Sequence, residues 1–214
     1  MMNQVVKCLE PIIKDFPFVE NYGGLVQVVS KTEVLDNGVT KKITFPVTCN
    51  ATATCLNNSG YSPIIPGQCN SIFYFEGSDL RPRGCEGAKG KTYVWTGTLT
   101  LVGWVNLRKL GVAICGDCSA IIACIMTSGI IGKCKLGPPY NNGSVEIGLP
   151  NIRKNDYKIF SKYSYYSKLK DKLIYPYQFF ALDFPVTIKI PEGCIDAEIC
   201  APDPDQEPII CKVV

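Results

Sequence analysis

The sequence predicts a mainly β protein. It reads as a β-sandwich-like domain over residues 18–190 with a long loop insertion, preceded by a short lead (1–17) and followed by an extended acidic C-terminal arm (191–214). Three observations point there. From Thr92 to Val105, Tyr93, Trp95, Leu99, Leu101 and Val105 fall on one face and Thr92, Thr96, Thr98 and Thr100 on the other, the period of two of a long half-buried strand. Asp36-Asn37-Gly38 separates the runs Thr32–Leu35 and Val39–Phe45 as a hairpin turn does, since Asn-Gly readily supplies positive φ. Short β-rich runs recur before and after these two.

In chain order, the lead holds Val5, Val6, Leu9, Ile12 and Ile13, but Pro11 and Pro17 are expected to limit any helix there to a turn or two. Gly24–Val29 is a compact β run, and Val47–Leu56 alternates threonine and asparagine with alanine and cysteine. After a loop rich in Asn, Ser, Gly and Pro comes Ser71–Phe75. Gly97 and Gly103 inside the long strand are expected to mark bends or bulges. Ser144–Ile147, Gln178–Leu182 and Val186–Ile190 are the later strands. Trp95, Leu101 and Trp104 are expected to anchor the core or a contact between sheets.

The most apolar stretch, 110–132, approaches the length of a membrane span but carries Asp117 at its centre and several small residues. Mid-span charge is costly in lipid, so a pair of buried strands around Cys115-Gly-Asp-Cys118, or a small-residue helix, is the better reading and no membrane is expected. Beyond Pro191, prolines at 202, 204 and 208 forbid regular structure, leaving an arm that ends in the apolar patch Ile209–Val214.

Composition narrows function. The 214 residues include twelve cysteines and no histidine, which removes the commonest general base, the Ser-His and Cys-His pairs and every His-containing metal site. Neither enzymatic activity nor a cofactor is expected. The N-terminus MMNQVVKCLEPIIKDF has no apolar export region, so the cysteines are expected to be reduced thiols of a protein folded in a cytoplasm. Charged residues are only 19% and mean hydropathy is +0.10, a dry balance that suggests surface covered by partner subunits.

Two motifs fall short of chemistry. Cys115 and Cys118 have metal-knuckle spacing, yet the steps onward to Cys124 and Cys134 match no knuckle pattern, and buried thiols are the preferred reading. Cys194 and Cys200 are weaker. Gly84-Cys-Glu-Gly-Ala-Lys-Gly-Lys91-Thr92 is one residue too long for a phosphate-binding loop and feeds a strand rather than a helix. The Asn-x-Ser/Thr triplets at Asn50, Asn57 and Asn142 would matter only in a secreted eukaryotic protein.

Charge is polarised along the chain. Arg153 to Lys172 holds seven Lys/Arg against two Asp, while Glu192 to Glu207 holds six acidic residues and no basic one. Between Arg153 and Tyr177 the basic residues interleave with tyrosines, a composition that suits single-stranded nucleic acid, a protein interface or a solvated loop. The acidic arm favours the interface: one subunit's arm near the next subunit's basic segment, a heterologous contact of the kind that closes into rings. Candidate contact residues are Lys162, Tyr163, Tyr165, Tyr166, Lys168 and Lys170, with Asp203, Asp205, Ile209 and Ile210 on the arm.

The segments DFPFVENYGGLVQVVSK (15–31) and KTYVWTGTLTLVGWVNLRKLG (91–111) resemble structural proteins of crAss-like tailed phages, in particular the rings stacked beneath the portal that build the tail barrel. That resemblance implies a non-enzymatic homo-oligomeric ring in a virion, assembled in the host bacterial cytoplasm. Its neighbours would be tail and portal proteins, and its channel would pass DNA or cargo. The alternative from another class is a disulfide-rich extracellular or cell-surface binding module.

Overall fold

The computed structural model describes residues 1–34, 40–49, 61–63, 70–86, 92–111, 116–137, 140, 142–163 and 176–191. Over these residues the chain is mainly β, as the alternation predicts. The elements in order are α1 (Met2–Lys14), β1 (Asn21–Val34), β2 (Thr40–Cys49), β3 (Tyr61–Pro63), β4 (Ser71–Gly77), β5 (Arg81–Glu86) and β6 (Thr92–Asn106). They continue with α2 (Ser119–Thr127), β7 (Gly132–Lys135), β8 (Ser144–Ile147), β9 (Asn151–Lys154), a 3-10 turn (Tyr157–Phe160) and β10 (Tyr177–Pro191).

All ten strands belong to one mixed sheet, ordered β3-β2-β1-β4-β6-β10-β8-β7, with β5 on β6 and β9 on β10. β1 and β2 form the expected antiparallel hairpin, whose turn lies outside the described residues. β1 also pairs with β4 in parallel. The axis is the antiparallel pair β6–β10, in unbroken register from Asn106–Tyr177 to Thr92–Pro191. The two later runs expected at 178–182 and 186–190 are therefore one strand.

The strand period of two sends side chains to two faces. On one, Phe73, Phe75, Leu99, Leu101, Val105, Phe180, Leu182, Phe184, Val186 and Ile188 build the larger core. Where a sandwich places a second sheet, this face carries α1 and α2, through Val5, Val6, Leu9, Ile13, Ile121, Ile122 and Ile125. On the other face a smaller core gathers Ile72, Tyr74, Val102, Trp104, Ile159, Phe160, Tyr163 and Phe179 at one end of the sheet. Leu101 and Trp104 thus anchor opposite faces, and Trp95 packs partly buried beside the larger core.

Two expectations are corrected. The lead is a 13-residue helix despite Pro11 at its interior. An interior proline costs a helix about 3 kcal/mol, but Val5, Leu9 and Ile13 recur every fourth residue and are all buried, and tertiary burial of such a stripe outweighs local propensity. Pro11 itself is exposed. Gly97 and Gly103 sit in continuous register, so neither is a bulge. Gly103 instead makes room for aromatic rings: a Cβ there would lie 2.5 Å from Phe180 Cζ and 2.9 Å from Phe73 Cε1. The irregularities fall elsewhere, between Tyr22 and Leu25 and between Pro82 and Gly84, where Gly24 (φ 63°) and Gly84 (φ 139°) adopt positive φ. Within 110–132 the helical alternative is the one that forms, as α2.

Candidate interaction face

The threonine face of the central strands carries a dense polar arrangement. Opposite pairs across β6 and β10 are Thr96–Thr187, Thr98–Pro185 and Thr100–Asp183. Thr100 Oγ1 donates to Asp183 Oδ1 (2.7 Å), and Arg153 on β9 grips the same carboxylate with two bonds of 2.8 Å, from Nε and Nη2. Burial alone would raise the Asp183 carboxyl; the bonds from Arg153 and Thr100 and the guanidinium charge outweigh it and hold that carboxyl below its usual range. The same bond raises Arg153 further. At the rim, Lys189 Nζ meets Glu86 Oε2 at 2.6 Å.

One strand further, Glu76 on β4 accepts from both Lys162 Nζ and Tyr163 Oη. These two of the predicted contact residues are brought together, and the local reason is clear. Asp156 caps the 3-10 turn by accepting from Lys158 N–H (2.9 Å), which aims Ile159, Phe160 and Tyr163 at the sheet. Phe160 packs on Phe179 (centroids 5.2 Å) and Trp104 stacks on Tyr177 (4.7 Å). Tyr163 is 2% exposed, so its ring fills this chain's own core, while Lys162 is at the surface. Tyr165, Tyr166, Lys168, Lys170, Asp203, Asp205, Ile209 and Ile210 lie outside the described residues, as do Cys115, Cys194 and Cys200.

The smaller core covers only the Trp104 end of this face. Toward the other end Thr96, Thr98 and Thr187 remain half-exposed. Thr96 and Thr98 line a cleft of about 640 Å³ together with Gly77, Ser78, Asp79, Arg81 and Gly97, at the break between β4 and β5. A second cleft, of about 600 Å³, lies between α1 and the Gly23–Gly24 bulge of β1. There Lys14 pairs with Glu10 (2.5 Å) and lies over the Tyr22 ring (5.5 Å).

Of the cysteine motif the structure describes Gly116 to Cys118, and Cys118 is buried. Cys118 N–H donates to Gln178 Oε1 (2.8 Å), and burial pushes its thiol up. Asp117 accepts from Ser119 N–H (2.9 Å) and Oγ (2.6 Å) at the start of α2, which explains the acidic residue inside the apolar stretch. Among the described residues no three Cys, Asp or Glu side chains converge as a metal site would need, and no helix is long and apolar enough to cross a membrane. The glycine-rich segment joins two antiparallel strands, β5 and β6. Asn142 is exposed.

The Arg153–Asp183–Thr100 cluster was not singled out by sequence. Its signal was an acid within the apolar run Phe179–Val186; that Asp183 shares the threonine face follows only from its pairing with Thr100. A scan against protein-family models matches none, and no curated protein is recognisably similar in sequence.

Proposed function

We propose that the chain is a non-enzymatic assembly subunit that packs against copies of itself through the threonine face of β6 and β10. The observation that supports this reading is the half-exposed ladder of Thr96, Thr98 and Thr187, on the two central strands of a wide sheet and beyond the cover of the smaller core. Short hydroxyl side chains give a flat surface of low rotamer entropy, and the flanking ion pairs at Lys189–Glu86 and Arg153–Asp183 supply orientation rather than chemistry. In the first cleft the Ser78 hydroxyl is directed to the backbone carbonyl of Asp79 rather than to a carboxylate that could activate it.

The particular assembly is a ring of a phage tail or neck, next to portal and tail proteins in a virion built in bacterial cytoplasm, with a channel for DNA or cargo. The resemblance of 15–31 and 91–111 to such rings and the polarised charge of the chain support it. The test is particle mass in solution. Wild type is expected as a ring-sized oligomer, and Thr98→Arg as a folded monomer with unchanged circular dichroism. A wild-type monomer at micromolar concentration refutes self-assembly, and a Thr98→Arg oligomer of the original size refutes this face. Deleting 195–214 tests the arm separately: an unchanged assembly size removes it from the contact.

A further inference from the structure

Two cysteines remote in sequence meet where the N-terminal helix crosses the edge of the sheet. Cys8 projects from α1 and Cys134 from β7, the outermost described strand on that side. Both line one pocket of about 130 Å³, with Leu9, Ile12, Gly129 and Ile147 among its walls. The Cys8 side chain is close enough to act on the Cys134 thiol and raise it. Each is half-buried, unlike Cys118, which is sealed in the core, and unlike Cys85 and Cys124, which stand at the surface.

We propose that Cys8 and Cys134 form a disulfide by exchange with a small oxidised thiol such as glutathione disulfide, fastening α1 to the sheet edge. The partner positions are held by the fold: Val5, Leu9 and Ile13 seat the helix on the larger core, and Cys134 is fixed in register opposite Val145 of β8. The pocket beside the two sulfurs gives them room to close to bonding distance, and their partial exposure leaves them within reach of a reagent in solution. Lys133, in the pocket wall, adds a positive charge that favours an anionic tripeptide disulfide.

The chemistry balances in two exchanges. The Cys8 thiolate attacks one sulfur of glutathione disulfide, forming a mixed disulfide and expelling one glutathione thiolate. Cys134 then loses its proton to solvent and attacks the Cys8 sulfur, expelling the second glutathione. Two protein thiols are oxidised and one disulfide is reduced to two thiols. The order follows from Cys134, whose thiol is pushed up to about 12, first by burial and then by the Cys8 side chain beside it and the charge of that neighbour. A group held protonated is the slower first attacker. Once Cys8 is capped, two of those three causes vanish and Cys134 becomes the resolving thiol.

The bond would close a loop spanning more than half the chain, from residue 8 to residue 134, so it stabilises chiefly by restricting the unfolded state. This inference does not rest on the assembly reading: one cross-link at the helix–sheet edge is compatible with a cytoplasmic ring, whereas the extracellular-module alternative requires most cysteines paired.

The test equilibrates the purified full chain with glutathione disulfide, blocks remaining thiols by alkylation and maps cross-linked peptides by mass. A Cys8–Cys134 peptide is expected, lighter than the reduced pair by about 2 Da for the two lost hydrogens. The thermal midpoint is expected to rise by roughly 5–15 °C, reversibly with dithiothreitol, in wild type but not in Cys8→Ser or Cys134→Ser. Because each serine variant has its own reduced baseline, the comparison stands even where the substitution lowers stability. Recovery of both residues as alkylated thiols, or of either bridged to a different cysteine, overturns the proposal.

Discussion

Thr98 and Pro185 stand opposite each other across the central strand pair, at the level where the strands on both outer sides are broken. On the β6 side, β4 ends at Gly77 and β5 resumes at Arg81, with Ser78 bridging by bonds to Thr98 N–H (2.7 Å) and from its own N–H to Thr98 O (2.9 Å). On the β10 side, β8 ends at Ile147 and β9 resumes at Asn151, and Gly148 N–H donates to Pro185 O (2.9 Å). A proline in a central strand lacks one ladder donor. Here that missing N–H points into the gap between β8 and β9, where no strand asks for it, and the waist of the sheet is the result.

Proline tolerance in β10 is therefore specific to position 185. Because N–H groups alternate sides along an antiparallel strand, Val186 faces β6 where Pro185 faces the gap. Pro185→Ala is expected to change stability by less than about 1 kcal/mol, whereas Val186→Pro removes a ladder bond to β6 and is expected to be clearly the more destabilising. Urea unfolding of the two variants checks this; equal losses would show that the gap plays no part.

Gly103 and Gly97 are expected to respond differently to alanine. At Gly103 the added methyl meets two ring edges, at 2.5 Å from Phe180 and 2.9 Å from Phe73, while at Gly97 the nearest atom is the tip of Leu80 at 3.0 Å. Overpacking against buried rings costs about 1–3 kcal/mol, so Gly103→Ala is expected to destabilise markedly and Gly97→Ala much less. Gly103→Ala combined with Phe180→Leu is expected to recover part of the loss, read from denaturant midpoints.

The Asp183 carboxyl contributes stability that depends on pH. Its folded pKa lies below the unfolded value, so the contribution is complete above the unfolded pKa and is lost as pH falls through the folded one. Acid titration of wild type should show this loss below about pH 4. Asp183→Asn is expected to cost about 1–3 kcal/mol at neutral pH and to flatten the acid limb, because Arg153 then lacks its charged partner at every pH. An unchanged acid limb in the variant would assign it to other carboxylates.

Helix α1 owes its existence to its buried stripe. Leu9→Ala is expected to destabilise by about 2–5 kcal/mol, with loss of helical signal. Pro11→Ala restores the N–H that can reach the Lys7 carbonyl on an exposed turn and is expected to stabilise by about 1–3 kcal/mol. Thermal unfolding followed at helical and at aromatic wavelengths separates the two effects.

The candidate face was partly legible in sequence. Thr96, Thr98 and Thr100 marked a polar side of β6 because strand alternation is local. Lys162 and Tyr163 were named for their chemistry, but that Glu76 would receive both, and that Tyr163 would be buried, depended on a strand 86 or more residues away. Asp183 passed unremarked because nothing near it in sequence announces Arg153 or Thr100 as partners.

By itself the sequence marked the mainly β character and the two sides of β6, because a period of two is written in consecutive residues and burying the apolar side requires no knowledge of what covers it; the short strands β3, β5, β7 and β9 were not marked. Tertiary structure alone decided that a proline-containing lead would be a full helix, that Pro185 would sit harmlessly in the central strand, and that Cys8 would meet Cys134. Each of these depends on surfaces brought together from distant parts of the chain, where the free energy of burial or the position of a gap overrides what a residue and its immediate neighbours prefer.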